Sequence, residues 1–141
     1  MAAYFCQWAE TMGLPQSFAL IYHALYLSER PLSVAEIIET SGLSKGSVSG
    51  GLRLLERMRS VKQVFVPNDR RTFYQPELSV RALIAGLLQE SFIPSLERGE
   101  QILNEAPAEE QLSDHVALRL ASLCSWNQSA KNLAPALGLL E

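Results

Sequence analysis

The stretch SGLSKGSVSGGLRLLERM, residues 41–58, combines a helical apolar repeat with a beginning rich in glycine. Apolar residues recur in it at the spacing of one helix face: Val48, Leu52, Leu55 and Met58. Glycines and serines follow the predicted N-terminal cap, Ser44: Gly46, Ser47, Ser49, Gly50 and Gly51. An interior glycine costs about 1 kcal/mol relative to alanine, so the three together cost roughly 3 kcal/mol. A packing or binding role must therefore account for these three glycines.

A shorter helix is predicted just before this one. Ser33 followed by Glu36 has the spacing of a capping box, and the apolar residues after the cap are Val34, Ile37 and Ile38. Ser41-Gly42 ends the helix, because glycine is the usual residue after a helix C-terminus. Two short helices joined by a tight turn that contains glycine are typical of a helix-turn-helix.

A β-hairpin is predicted directly after the second helix. Beyond Arg59 the strand-forming residues are Val61, Val64, Phe65 and Val66, then Thr72, Phe73 and Tyr74. Pro67-Asn68-Asp69 is a turn sequence between them, and Pro76 closes the second strand. The tip carries Arg70 and Arg71. A helix-turn-helix followed by such a hairpin is a winged helix.

The rest of the chain is predicted to be helical, so the fold class is mainly α with a small β-hairpin wing. Pro94 should kink or break one of these helices. We expect a single winged-helix domain over residues 1–141, with residues 13–76 as its core and residues 1–12 and 77–141 as helical extensions. The remaining helical or apolar segments are predicted at Ala2–Met12, Pro15–Leu27, Ser79–Asn104, Glu109–Trp126 and Ala130–Leu140.

Positive charge is concentrated in the winged-helix segment. The whole chain has a net charge of −3, but residues 42–74 hold seven basic and two acidic side chains, a net charge of +5. The segments before and after carry −3 and −5. A basic segment between acidic flanks is the electrostatic pattern of a nucleic-acid contact.

The glycine-rich helix is predicted to enter the major groove of DNA. Small residues let a helix approach the base edges, and its N-terminal N–H groups suit a phosphate. Gly51 lies beside the apolar stripe and is instead a candidate for close helix–helix packing, but tight packing alone does not explain the basic residues on the same helix. Arg70 is predicted to reach the adjacent minor groove, with Asp69 orienting an arginine. The predicted DNA-binding residues are Ser44, Lys45, Gly46, Ser47, Ser49, Arg53, Arg57, Arg70 and Arg71.

Three quoted segments carry a family resemblance: GLPQSFALIYHALYLSERPLSVAEI, SGLSKGSVSGGLRLLE and VPNDRRTFY. Together, over about residues 13–76, they resemble the GbsR-like branch of the MarR-type winged-helix transcriptional regulators. The resemblance implies a homodimer, formed by the N- and C-terminal helices, on a palindromic operator. The chain departs from the pattern at RMRSVKQV, which lacks the usual glycine before the wing, and its C-terminal third matches only in being helical.

A small-molecule effector is compatible with this resemblance, because some relatives respond to choline-like cations. Aromatic residues could build a cation–π cage for one, although aromatic residues at helical spacing are more often core. We therefore favour core packing for Trp8, Tyr22, Tyr26 and Trp126.

No enzyme, cofactor or metal site is predicted. The chain lacks a P-loop, a GxGxxG fingerprint, a nucleophile elbow and an HExxH motif. His23 and His115 are isolated from other potential metal ligands. Cys6 and Cys124 are predicted to be buried thiols, as is usual in a reducing cytoplasm. Neither a signal peptide nor a membrane-spanning run is present, which favours a cytoplasmic protein.

The sequence thus predicts a sequence-specific, homodimeric, DNA-binding transcriptional regulator. The alternative is a winged-helix protein–protein interaction module that does not bind DNA. Apolar residues near both ends are candidates for a two-fold interface, and the competing interpretation is that they cover the monomer's own core. These residues are Tyr4, Phe5, Trp8, Ala136, Leu137, Leu139 and Leu140.

Overall fold

The computed structural model describes residues 1–106 and 112–137, which divide into two compact units, Met1–Leu83 and Ile84–Glu141. None of the helices in these ranges is long and apolar enough to span a membrane. The elements in chain order are α1 (Ala2–Thr11), α2 (Gln16–Tyr26), β1 (Leu32–Ser33), α3 (Val34–Ser41), α4 (Lys45–Arg57), β2 (Val61–Val64), β3 (Phe73–Pro76), α5 (Val80–Leu87), a π-helical segment (Leu88–Phe92), α6 (Ile93–Asn104) and α7 (Asp114–Leu137).

Helices α3 and α4 form the predicted helix-turn-helix. The capping box of α3 is complete, since the Glu36 N–H donates to Ser33 Oγ and the Ser33 N–H donates to Glu36 Oε2 at 2.8 Å. Gly42 ends α3 with a φ of 70°, a left-handed conformation that glycine adopts without strain. Ser44 caps α4 by accepting a hydrogen bond from the Ser47 N–H at 3.2 Å. Three residues therefore separate the two helices.

The wing is confirmed, but the sheet has three antiparallel strands in the order β1-β3-β2 rather than two. The unpredicted β1 pairs Leu32 with Tyr74 and Ser33 with Phe73. The ladder between β2 and β3 ends at the pair Val64 and Phe73, so the predicted strand residues Phe65, Val66 and Thr72 lie in the loop instead. Two residues are too few to read as a strand from sequence.

The junction between α4 and the wing contains an arginine in the position that usually requires glycine. Arg59 has a φ of 54°. Its N–H donates to the Glu56 carbonyl at 2.9 Å, and the Ser60 N–H donates to the Leu55 carbonyl at 2.8 Å. These two bonds form a Schellman motif, in which the residue after the helix adopts a left-handed conformation. The missing glycine of RMRSVKQV is therefore replaced by a strained arginine, and the helix still ends in the usual geometry.

The core of the N-terminal unit lies between α2, α3, α4 and the sheet. Ile21 and Leu25 on α2 are buried against Ile37 on α3 and Leu55 on α4. The predicted inward stripe of α4 is confirmed, because Val48, Leu52 and Leu55 are all buried. Burial of each such side chain contributes about 1.5–3 kcal/mol, which offsets the poor helix propensity of the glycine-rich turn.

The C-terminal unit begins within α5. The predicted interruption at Pro94 takes the form of the π-helical segment, in which the Ile93 N–H donates to the Leu88 carbonyl five residues earlier. Proline has no N–H for the carbonyl four residues before it, and the wider turn accommodates that loss.

Two predicted segments near the C-terminus form one helix. The predictions of Glu109–Trp126 and Ala130–Leu140 are wrong in separating them, since α7 runs from Asp114 to Leu137. Pro135 lies in its last turn, too late to divide the helix. Glu109 and Glu110, like Leu139 and Leu140, lie outside the described residues.

Polar contacts join α6 to α7. The buried Asn127 donates from Nδ2 to the Leu96 carbonyl at 3.1 Å, and Lys131 Nζ lies 2.5 Å from Glu100 Oε2. The prediction of two buried thiols is wrong: Cys6 is only partly buried and Cys124 is exposed. Most of the surface of α7 around Cys124 is not covered within this unit.

Candidate nucleic-acid interface

Helix α4 has two opposite faces of different chemistry. At 3.6 residues per turn, the residues directly opposite its buried stripe are the exposed Gly46, Gly50, Arg53 and Arg57. The N-terminal half of this outer face therefore has no side chains, and its C-terminal half carries two guanidinium groups. A partner can approach the backbone closely at one end of the helix and meet positive charge at the other.

The glycines of α4 are needed for different reasons. A Cβ atom on Gly51 would overlap with the Cδ1 atom of the buried Ile21, so this glycine permits α2 and α4 to pack closely, as predicted. A Cβ on Gly50 would meet nothing within 4 Å, and one on Gly46 would lie 4.0 Å from Ser44 Oγ. Packing within the unit therefore explains Gly51 but neither Gly46 nor Gly50.

The N-terminal turn of α4 presents small polar groups to solvent. Ser44 and Ser47 are exposed and their hydroxyl oxygens lie 3.0 Å apart, while Ser49 is partly buried. The Lys45 side chain is exposed beside them. These groups lie at the positive end of the helix dipole, where an anion such as a phosphate is stabilised.

The two arginines of the wing have different surroundings. Arg71 is fixed by Asp69, which accepts from Arg71 Nη2 at 2.6 Å and from its backbone N–H at 3.0 Å, and the guanidinium lies 5.1 Å from the Phe73 ring centre. The Arg71 guanidinium lowers the pKa of Asp69 to about 2. The prediction that Asp69 orients an arginine is confirmed. In the part of the chain that the structure describes, Arg70 is exposed and forms no ion pair.

Two hydrogen bonds connect the wing to the helices. Gln63 on β2 donates to Glu56 Oε1 in the last turn of α4 at 2.6 Å. The Tyr22 hydroxyl on α2 donates to the Glu77 carbonyl just after β3, and burial raises the pKa of Tyr22 to about 12. The wing and the outer face of α4 are therefore parts of one rigid unit, and both carry positive charge.

The aromatic residues of α1 and α2 pack against one another. The ring centres of Phe5, Tyr22 and Tyr26 are separated by 5.4–5.9 Å, and Trp8 lies 6.4 Å from Tyr4. Such edge and tilted contacts are ordinary aromatic packing. The prediction of core packing is confirmed for Tyr22, which is buried, and is wrong for Trp8, Tyr26 and Trp126, which are exposed. Trp126 belongs to the other unit.

Sequence reasoning did not place Phe65 near the site, because it treated this residue as a strand former. The side chain lies in the wing loop and is 83% exposed. Its position next to a turn in a basic segment is the sequence signal that could have identified it.

Comparisons with known proteins agree with this architecture. Residues 21–72 match the model of the MarR family. A crystal structure of a transcriptional regulator superposes with a TM-score of 0.66 at 20% sequence identity, covering 99% of this chain and 91% of that one. A mutant of MepR from a multidrug-resistant clinical isolate of S. aureus gives a TM-score of 0.44 at 18% identity, covering 90% and 86%. None of the curated proteins matches the chain. The chain therefore has a winged helix-turn-helix fold, and its residues 21–72 are similar to the MarR family.

Proposed function

We propose that this protein is a sequence-specific, DNA-binding transcriptional regulator. The observation that carries the proposal is the outer face of α4, where Gly46 and Gly50 leave open space and Arg53 and Arg57 supply charge. A flat, cationic helix face suits the major groove, whose edges a bulky face could not approach. The match of residues 21–72 to the MarR family supports the same function.

Each part of this surface has a proposed role on DNA. Ser44, Lys45, Gly46, Ser47 and Ser49 approach the base edges and the nearest phosphate at the N-terminus of α4. Arg53 and Arg57 contact the phosphates that border the major groove, where each cation releases condensed counterions. Arg70 enters the adjacent minor groove, and Arg71 contacts the backbone in the orientation set by Asp69.

We further propose that the functional form is a homodimer on a palindromic operator. Large apolar side chains are exposed along α7, among them Leu118 at 74% and Trp126 at 61%. On α1, Tyr4 and Trp8 are exposed as well. Apolar surface on this scale is typical of an interface, and a two-fold dimer would present two recognition helices one DNA turn apart.

The finer assignments extend this proposal. Within a single domain, residues 13–76 form the DNA-binding core, and residues 1–12 and 77–141 form the dimerisation extensions. The resemblance of the quoted segments supports assignment to the GbsR-like branch, and we include a small-molecule effector in the proposal. A role as a transcriptional regulator supports a cytoplasmic location, which is also part of the proposal.

Selection of bound duplexes from a random DNA pool tests the proposal. We expect a palindromic sequence to be enriched, and fluorescence anisotropy should then show binding that weakens steeply with salt. Arg53→Ala should weaken this binding, whereas Arg98→Ala, an exposed arginine on α6, should not. A pool without enrichment and no binding at physiological salt would favour the alternative, a protein-interaction module.

A further inference from the structure

We propose that Phe65 is an additional DNA contact, an apolar side chain that packs against the minor-groove walls beside Arg70. This inference rests on the proposed function and assigns a role to a residue outside the predicted site. It differs from the arginine contacts in its chemistry, because a phenyl ring contributes no charge and releases no counterions.

Nothing in the part of the chain that the structure describes explains the exposure of Phe65. It is 83% exposed, the largest value among the exposed large apolar side chains of residues 1–106 and 112–137. Its neighbours in sequence, Val64 and Val66, are both partly buried. Phe73, at the other end of the wing loop, is buried and covered by the Arg71 guanidinium. Within the described ranges, Phe65 takes part in no comparable ring contact.

The turn at the wing tip separates Phe65 from Arg70. The Asp69 N–H donates to the Val66 carbonyl at 3.2 Å, which closes a four-residue turn. Asn68 has a φ of 65°, as the third position of a type II turn requires, and Pro67 supplies the second position. Phe65 and Arg70 are the residues immediately before and after this turn. Both side chains are exposed, so the wing loop presents an aromatic ring on one side of its turn and a cation on the other.

The charge of the wing loop favours DNA over an apolar protein surface as the partner. Asp69 is neutralised by Arg71, so the loop keeps the single positive charge of Arg70. The minor groove is narrow, its walls are apolar deoxyribose, and its potential is negative. Proteins that insert basic residues there frequently place an apolar side chain beside them.

Binding of the selected duplex by Phe65→Ala, measured over a range of salt concentrations, tests the inference. We expect the affinity to fall about tenfold, near the lower limit for burial of a phenyl ring. The slope of log K against log salt should stay unchanged, unlike the slope of Arg70→Ala. Leu78→Ala is the matched control, because Leu78 is 65% exposed in the same unit but lies beyond β3. It should bind as the wild type does.

Photocrosslinking provides a second readout that does not depend on affinity. p-Benzoylphenylalanine at position 65 should crosslink to the duplex on illumination, and the same group at position 78 should not.

The outcomes separate this inference from the proposed function. If the wild type binds the duplex, Phe65→Ala binds it with unchanged affinity and position 65 gives no crosslink, the role of Phe65 is overturned and the proposed function is not. A changed salt slope overturns the apolar contact and points to a displaced arginine. If Phe65→Ala binds DNA as the wild type does but has a different oligomeric state, the DNA contact is overturned and Phe65 belongs to a protein interface. A wild type that binds no duplex overturns both proposals.

Discussion

Gly51 lies against Ile21, and the space between these two residues sets how closely α4 packs on α2. Ile21 is fully buried, and a methyl group on Gly51 would overlap with its Cδ1 atom. The neighbouring Gly50 faces open space on the other side of the helix. The two adjacent glycines are therefore needed for different reasons. Gly51 allows close packing in the core, and Gly50 lies on the surface that we propose contacts DNA.

Comparison of Gly51→Ala with Gly50→Ala should isolate the packing requirement. Both changes gain the same helix propensity, about 1 kcal/mol, but only Gly51→Ala crowds the core. We expect the free energy of unfolding of Gly51→Ala to be lower by about 1–3 kcal/mol than that of Gly50→Ala, as measured by urea denaturation. Equal stabilities would contradict the close approach of α2 and α4.

Replacement of Arg59 by glycine should stabilise the protein. The left-handed conformation of Arg59 costs a residue with a Cβ atom roughly 1 kcal/mol, and glycine avoids this cost. Arg59→Gly should therefore be more stable than Arg59→Ala by about 1 kcal/mol in urea denaturation. The alanine variant is the control, since it loses the same charge but keeps the Cβ. A glycine variant no more stable than the alanine variant would argue against strain at this junction.

Arg70→Ala should change the salt dependence of DNA binding as well as its strength. Loss of one cation that neutralises a phosphate reduces the slope of log K against log salt by about 0.9. Anisotropy titrations from low to physiological salt measure the slope directly. Arg98→Ala should leave it unaltered. An identical slope for Arg70→Ala and wild type would remove Arg70 from the interface.

The stability of the winged helix should depend on pH through Glu36. The hydrogen bond from Arg30, with further bonds from Ser33, lowers the pKa of Glu36 to about 2 from its ordinary value of 4.5. As the pH falls, the unfolded chain therefore binds a proton at Glu36 before the folded chain does. The stabilisation of the folded state by the Glu36 carboxylate is fully present above pH 4.5 and is lost as the pH falls towards 2.

Urea denaturation of Glu36→Gln between pH 2 and 7 measures this contribution. The variant should be less stable than wild type at pH 7, and the difference should shrink below pH 4.5. A difference that stays constant with pH would mean that the charge of Glu36 does not stabilise α3.

Charges on α7 should disrupt the proposed dimer. Leu118→Glu and Trp126→Glu place a carboxylate on the exposed apolar surface, and burial of an unpaired charge in an interface is strongly unfavourable. We expect size-exclusion chromatography with light scattering to give twice the chain mass for wild type and the single mass for these variants. Arg98→Glu is the control, because it adds the same carboxylate at an exposed position on α6, away from the apolar surface of α7. A wild-type protein with the mass of a single chain would contradict the dimer proposal.

Local chemistry accounts for the features that sequence reasoning predicted correctly. Ser33 and Ser44 cap their helices, Gly42 ends one of them, and Pro67-Asn68-Asp69 forms the turn of the wing. Each of these depends on residues within a few positions of one another. The apolar period of α4 also predicted its buried face, because a regular helix places every third or fourth residue on one side.

Features that depend on distant residues were missed or assigned incorrectly. The strand β1 consists of two residues and exists because β3 pairs with it, some forty positions further along the chain. The continuity of α7 and the exposure of Cys124 also depend on what packs against that helix rather than on its own sequence.

The amino-acid sequence by itself determined the helix-turn-helix, the wing and the concentration of positive charge in residues 42–74, because caps, turns and periodicity act over a few residues. Only the tertiary structure identified Ile21 as the neighbour that requires Gly51 and not Gly50, and only it separated Arg70 from Arg71. In each pair the residue types are the same, and what differs is the neighbour that folding brings: Ile21 beside one glycine, Asp69 and Phe73 beside one arginine.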